Sequence, residues 1–507
     1  MPLLPIALPP GLERNGTPYE STRKWWDMNL MRWVSGSARP LGGWVRKTET
    51  PLADAIRRFW TWRNNDNTYG TLVGTETKLY ADYGPGWLDI TPVDIVPPVT
   101  TIVGGYGSGP YGMGTYGTPR PATDAFAPGY AMWSFANWGE DVLLLSSKDN
   151  RLFHYISATP DVAPVALAEP PLSNGVGVTE ERHVMLVGVT LAGTYYPHRV
   201  AWGSRESLTD WDFADVTNSA GYIDLAASSP LTHIVNVREG MLIFSSTEVF
   251  LASFIGSPYI YAFTKLAEMP IMHPYTVAVF GGGRAAWMTP GGIHVYAGQA
   301  VQMIDCPVWN DVRVDFNPSW FMARSHASAN GQYPEVWMFW PSESAVECDR
   351  YVIFNYVEGW WGWGYLERSA MVPSGALRRP LAGTKDGTIY EHENGWTDAG
   401  LPILDRRFLE TGALGIAGGD TVVDIKQAML ATTDKFHDVP QAVKLQFFGR
   451  YTPDGNERVF GPYLPRLDGY TDTRVNCREA RVRYVGNVDA LFDVGLLRLE
   501  VSAGGRR

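Results

Sequence analysis

Short apolar runs, each broken by a turn and answered by a second apolar run, recur along the middle of this chain. The pattern appears as LVGTETKLY at 72–80, LLSSKDNRLF at 144–153, LIFSSTEVFL at 242–251, AWMTPGGIHVY at 286–296 and LAGTKDGTIY at 381–390. Two looser copies, VMLVGV with RVAWGS at 184–204 and EVWMFW with RYVIFNY at 335–356, fall between them. Asp149-Asn150, Gly291-Gly292 and Asp386-Gly387 sit at the breaks, where a tight hairpin turn needs positive φ. Each copy therefore predicts a hairpin. Residues 59–396 hold one hairpin per roughly 48 residues, the size of a propeller blade. The pattern predicts a β-propeller of about six to eight blades. Unrelated hairpins in stacked sandwiches are the alternative.

Texture changes on either side of this region. Residues 1–58 are dense in Trp and Gly and follow neither the helical nor the strand period, which predicts an extended N-terminal arm with short strands. After a linker-like stretch from 397, VVDIKQAMLA, VKLQFFGRYT, REARVRYVG and LLRLEVSA alternate apolar and charged positions. That is the signature of half-buried antiparallel strands, and it predicts a β-sandwich-like domain ending the 397–507 segment. The stretch TIVGGYGSGPYGMGTYGTPRP at 101–121 has no apolar face. It is expected to be an exposed insertion between blades, mobile alone, with ordering by a partner and a solvated loop that has no partner as the two alternatives. Tyr106, Tyr111 and Tyr116 recur in it every five residues, as regularly placed contacts would.

Composition fits an all-β chain. Gly (53) and Pro (36) together make 89 of 507 residues, about 18% against a usual 12%. Hydrophobic residues reach 45%, enough for a core, and charged residues are only 19%, which excludes a coiled coil. The formal net charge of −11 argues against tight nucleic-acid binding, which draws on cations that neutralise phosphates. Cys306, Cys348 and Cys477 are far apart and odd in number, so neither a disulfide framework nor a zinc ribbon is expected, and folding in a reducing cytoplasm is. The proline-containing N-terminus lacks the basic and helical parts of a signal peptide, and no apolar run is long enough to span a membrane as a helix.

Signals for chemistry are weak. Two G-x-G-x-x-G matches, at Gly107–Gly112 and Gly112–Gly117, lack the helix a dinucleotide site needs. SKDNRLF and TKDGTIY approach a sialidase Asp-box, but their Asp–Gly spacing departs from it and no arginine triad is evident. Nine histidines show no metal-site spacing, and Gly-x-Ser-x-Gly is absent. No catalytic residue, cofactor or metal is expected. The run GWWGWGY at 359–365 suits strand packing or a subunit interface, with sugar stacking as the alternative. The candidate interface residues are Trp25, Trp26, Tyr106, Tyr111, Tyr116, Trp360 and Trp361.

Several separated motifs, taken in order, resemble a known family. RNGTPYE, WWDMNLMRW and PLGGW near the start, LVGTETKLY with WLDITP at 72–92, RVAWGSRESLTDWDF with NSAGYIDL at 199–225, and the ending GLLRLEVSAGGRR are similar to the tail nozzle proteins of short-tailed bacteriophages, the tail tubular B-like or packaged-DNA stabilisation proteins. The resemblance implies a non-enzymatic virion protein of the tail, assembled in the bacterial host cytoplasm. It implies a homo-hexameric ring below the portal and adaptor proteins, with fibres or spikes at its side. Double-stranded DNA would leave through the ring without specific binding. A sugar-binding propeller for receptor recognition and a propeller glycosidase are the alternatives.

Overall fold

A computed structural model describes residues 3–82, 84, 86–95, 133–270, 273–298, 300–416, 421–430, 432, 439, 441–452 and 455–505. Strands make up about half of the chain and helix about 4%. The loop at 101–121, with Tyr106, Tyr111 and Tyr116, lies outside the described residues.

Among the described residues seven four-stranded antiparallel sheets follow one another along the chain, and we number them as blades. Blade 1 runs through Ile56–Arg63, Tyr69–Thr75, Leu79–Asp82 and Trp87–Asp89. The inner strands of blades 2 to 7 are Trp133–Trp138, Gly175–Val178, Leu231–Val237, Ala278–Phe280, His326–Ala329 and Ala370–Val372. Inner strands of successive blades are neighbours, and that of blade 7 packs on that of blade 1, which closes the ring. The sequence hairpins occupy one place in every blade: each joins the second and third strands, as in Leu381–Gly383 to Ile389–His392 of blade 7.

Apolar residues on facing sheets explain the ring. Leu72 and Leu79 of blade 1 meet Val142, Leu144 and Phe153 of blade 2. Ile56, Phe59 and Val73 meet Ala370, Leu381 and Ile389 of blade 7. Each blade is buried on both faces, so its middle strands read as near-continuous apolar runs such as Glu335–Trp340, which is buried at every position.

The turn at Asp386-Gly387 shows how tightly one hairpin is set. Gly387 has φ +79, and a Cβ there would come 2.0 Å from the Leu52 carbonyl oxygen. Thr384 and Thr388 hydroxyls both donate to the Asp386 carboxylate. Gly387→Ala is expected to cost about 1–3 kcal/mol in urea unfolding, from strain and from displacing the Leu52 backbone. An unchanged midpoint would mean that this turn adapts freely.

The N-terminal 58 residues hold the short strands expected of them, but these strands are built into other sheets. Leu4–Ile6 and Trp25–Asn29 join the C-terminal domain, Trp44–Arg46 supplies the outermost strand of blade 7, and blade 1 begins at Ile56. The physical reason is pairing at long range: Trp25–Asn29 pairs antiparallel with Phe408–Thr411, and Trp44–Arg46 with Ile389–His392. The C-terminal domain is a two-sheet sandwich. One sheet orders Leu4–Ile6, Leu497–Gly505, Val422–Leu430 and Tyr470–Cys477. The other orders Trp25–Asn29, Phe408–Thr411, Glu479–Gly486, Val443–Arg450 and Arg458–Tyr463. Val443–Arg450 alternates strictly between buried and half-buried positions.

Candidate functional site

Three of the four described candidate interface residues face inward. Trp25, Trp360 and Trp361 keep 6%, 3% and 5% of their surface exposed. Trp25 meets Tyr484 edge-on at 5.4 Å, and Trp33 meets Trp360 at 5.3 Å. Leu12 donates its backbone N–H to the Trp361 carbonyl. These rings fasten the sandwich to blade 6 within one chain. Their burial also removes a sugar-stacking platform from GWWGWGY. Trp26 alone is half-buried, 4.9 Å from the Arg14 guanidinium.

A cluster of open apolar side chains lies elsewhere, on the outer edges of blades 3 and 4. Gly221–Asp224 is the outermost strand of blade 3, and Tyr222 and Ile223 are exposed on it. In blade 4 the long hairpin Glu248–Gly256 to Ile260–Glu268 carries exposed Phe254, Ile255 and Tyr259 at its tip. A groove between the two edges is lined by Ile223, Leu225, Ile255, Tyr259, Phe263 and Lys265. Tyr222 is held firmly. The Arg199 guanidinium lies 4.1 Å from its ring and 3.8 Å from that of Tyr196, and donates two 2.6 Å hydrogen bonds to Asp224. Those bonds keep the Asp224 carboxyl below its ordinary range. The sequence marked NSAGYIDL as a family motif but not this edge as an interface, because TYYPHRVAW and EVFLASFIG look like any other strands.

A second feature is the cavity of about 510 Å3 that the inner strands of all seven blades enclose. Basic side chains gather near the starts of these strands: Arg57 and Arg58 in blade 1, His233 in blade 4, His273 just before blade 5, and Arg324 and His326 at blade 6. The ladder of blade 1 skips Arg57, pairing Ile56 with Thr75 and then Arg58 with Gly74. Such a bulge re-aims side chains, and the two arginines part company here. Arg57 reaches Glu347 (2.7 Å) and Glu76 (3.1 Å), and Arg324 shares Glu76 at 2.8 Å. Arg58 lines the cavity. Its guanidinium lies 4.9 Å from the Tyr275 ring and meets no carboxylate among the described residues. Burial, with Arg58 adding to it, pushes the His233 and His273 imidazoles down to about 3, so both are neutral at physiological pH.

Among the described residues no group of three or more His, Cys, Asp or Glu is placed to hold a metal ion, and no helix is long and apolar enough to cross a membrane. The three cysteines are buried free thiols.

No protein-family model matches this chain, and no curated protein matches it either. Solved propellers do. A streptogramin B lyase is 10% identical over 69% of this chain and 97% of its own, with a TM-score of 0.39. The Cps50 (Swd1) propeller domain of Myceliophteria thermophila is 10% identical over 70% and 99%, TM-score 0.39. YCF48 of Cyanidioschyzon merolae is 10% identical over 69% and 99%, TM-score 0.38. The chain is a β-propeller protein. The overlays are loose, so the blade count rests on the strand pairing above, and nothing these proteins bind or catalyse carries over.

Proposed function

We propose that this protein is the nozzle subunit of a short bacteriophage tail, a structural virion protein rather than an enzyme. Six copies would form a ring below the adaptor and portal-side proteins, conduct DNA outward, and anchor fibres or spikes. The reading starts from the motif resemblance, and one structural observation carries its assembly part: the open apolar edge of blades 3 and 4. An exposed aromatic groove of this kind marks a protein contact more often than a bare surface. In a ring each copy would present this edge to a different face of its neighbour, a heterologous contact that closes on itself. The net charge of −11 supports passage of DNA, since an acidic wall repels phosphate and lets the duplex slide.

Native mass spectrometry of tails, or of the protein with its adaptor, is expected to give six copies. Ile255→Asp with Tyr259→Asp is expected to abolish the ring while leaving the monomer folded, because both side chains are exposed in the single chain. One to three copies per tail, or rings that form undisturbed by the double variant, would overturn the assembly reading.

A further inference from the structure

We propose that the central cavity of the propeller binds a small organic carboxylate, its head group on the Arg58 guanidinium and the His233 imidazole and its apolar body against the blade walls. This site is independent of ring assembly.

The first argument is charge. Arg58 is half-buried, and a cation even partly withdrawn from water without a partner is costly; elsewhere this chain pairs its buried arginines. Arg32 meets Glu335 and Glu393, Arg57 and Arg324 meet Glu76, Arg407 meets Asp489, and Arg481 meets Glu410 and Glu457. Even Arg368, which has no salt bridge among the described residues, donates to His392 Nε2 at 2.8 Å and to the Glu367 carbonyl at 2.6 Å. Among the described residues Arg58 meets the face of Tyr275, whose hydroxyl already accepts from the Trp133 N–H, and no hydrogen-bond acceptor. Its fork of N–H donors is therefore free for a ligand. His233 is 6% exposed, lines the same cavity, and makes no side-chain hydrogen bond among the described residues.

Shape and polarity define the ligand class. The volume falls within the range of small-molecule pockets and far exceeds a bare inorganic ion. Phe135, Val176, Ile234, Val277 and Met371 contribute apolar wall. The inner strand of each blade is also the edge of its sheet, so backbone N–H and C=O groups on that side face the cavity without ladder partners. One unpaired cation flanked by neutral imidazoles matches a single negative charge, not the two of a phosphate monoester. A guanidinium fork accepts a planar carboxylate in bidentate fashion. The ladder reinforces the arrangement: blade 4 skips a residue beside His233, as blade 1 does beside Arg58, so both polar groups sit on bulges.

The test uses the full chain in isothermal titration calorimetry with benzoate and octanoate as probes, and benzyl alcohol and inorganic phosphate as controls. One of the two carboxylates is expected to saturate one site per chain, with benzyl alcohol and phosphate each weaker by about tenfold or more, the loss of a charge-assisted or an apolar contact respectively. Arg58→Met is expected to weaken the carboxylate by about tenfold or more without lowering the melting temperature, because it removes an unpaired charge. Arg58→Lys keeps the charge but loses the fork, and is expected to bind more weakly than the native chain. The assignment falls if neither carboxylate saturates below about 10 mM, if phosphate binds as tightly as the carboxylates, or if folded Arg58→Met binds like the native protein.

Discussion

Arg32→Ala is expected to lower the unfolding free energy by about 3–5 kcal/mol, the cost of stripping the partner from a buried charge. Arg32 sits in the hairpin Met31–Val34 to Ser37–Pro40, between the propeller and the sandwich. Its guanidinium reaches Glu335 of blade 6 at 3.0 Å and Glu393, just past the third strand of blade 7, at 2.5 Å. It also lies 3.6 Å from the Tyr333 ring. All three charged side chains are nearly inaccessible, at 1%, 1% and 7%. Removing Arg32 leaves two carboxylates facing each other in a dry interior, and at least one must take a proton. Urea unfolding measures the loss. In the Arg32→Ala background, Glu335→Gln with Glu393→Gln is expected to restore a large part of it, because the uncompensated charge has gone. A loss below about 1 kcal/mol would show that water reaches the site.

The same cluster sets a pH dependence. Burial, reinforced by Glu393, pushes the Glu335 carboxyl up to about 7 against the pull of Arg32. A carboxyl whose pKa is raised on folding holds its proton more tightly in the native state. Its contribution to stability is fully present below the ordinary carboxylate range and is lost as pH rises toward about 7. Glu335→Gln is expected to flatten that decline between about pH 4.5 and 7, read as unfolding free energy against pH.

What the sequence disclosed follows from how local each signal is. The middle hairpins of the blades were legible because strand, turn and strand lie within about ten residues, and the turn residues Asn150, Gly292 and Gly387 all take positive φ. Val422–Leu430, Val443–Arg450, Glu479–Gly486 and Leu497–Gly505 of the sandwich announced themselves by alternating apolar and charged residues. Trp44–Arg46 and Trp25–Asn29 did not, because each is short and finds its partner more than 340 residues later. The Trp25 and Trp360 rings looked like interface material and became intrachain cement, a distinction that depends on which strands they face. Arg57 and Arg58 are adjacent in sequence and similar in chemistry. Only the skipped register separates a saturated ion pair from a cation that lines a cavity.

Trp44→Ala is expected to cost about 3–5 kcal/mol, and to open the ring at one seam rather than soften it everywhere. Three residues, Trp44–Arg46, supply the last strand of blade 7, so the end of the propeller is closed by the beginning of the chain. Trp44 is 2% exposed, stacks on His392 at 5.4 Å, and lies 5.0 Å from the Arg368 guanidinium. Its indole N–H donates to Asp398, its backbone N–H donates to the Thr397 carbonyl, and its carbonyl accepts from Ala399. A strand with three ladder positions holds little by backbone bonding alone, so this side chain supplies most of the grip. Trp44→Phe retains a ring and loses the N–H bond, and is expected to cost only about 1–2 kcal/mol, because Asp398 keeps Arg406 at 2.7 Å. Hydrogen exchange on Trp44→Ala is expected to accelerate first in Ala370–Val372, Leu381–Gly383 and Ile389–His392, then in Ile56–Arg63 across the seam, while blades 3 and 4 keep their protection. Uniform acceleration across all seven blades would mean that the ring unfolds as one unit and that the short strand is no seam.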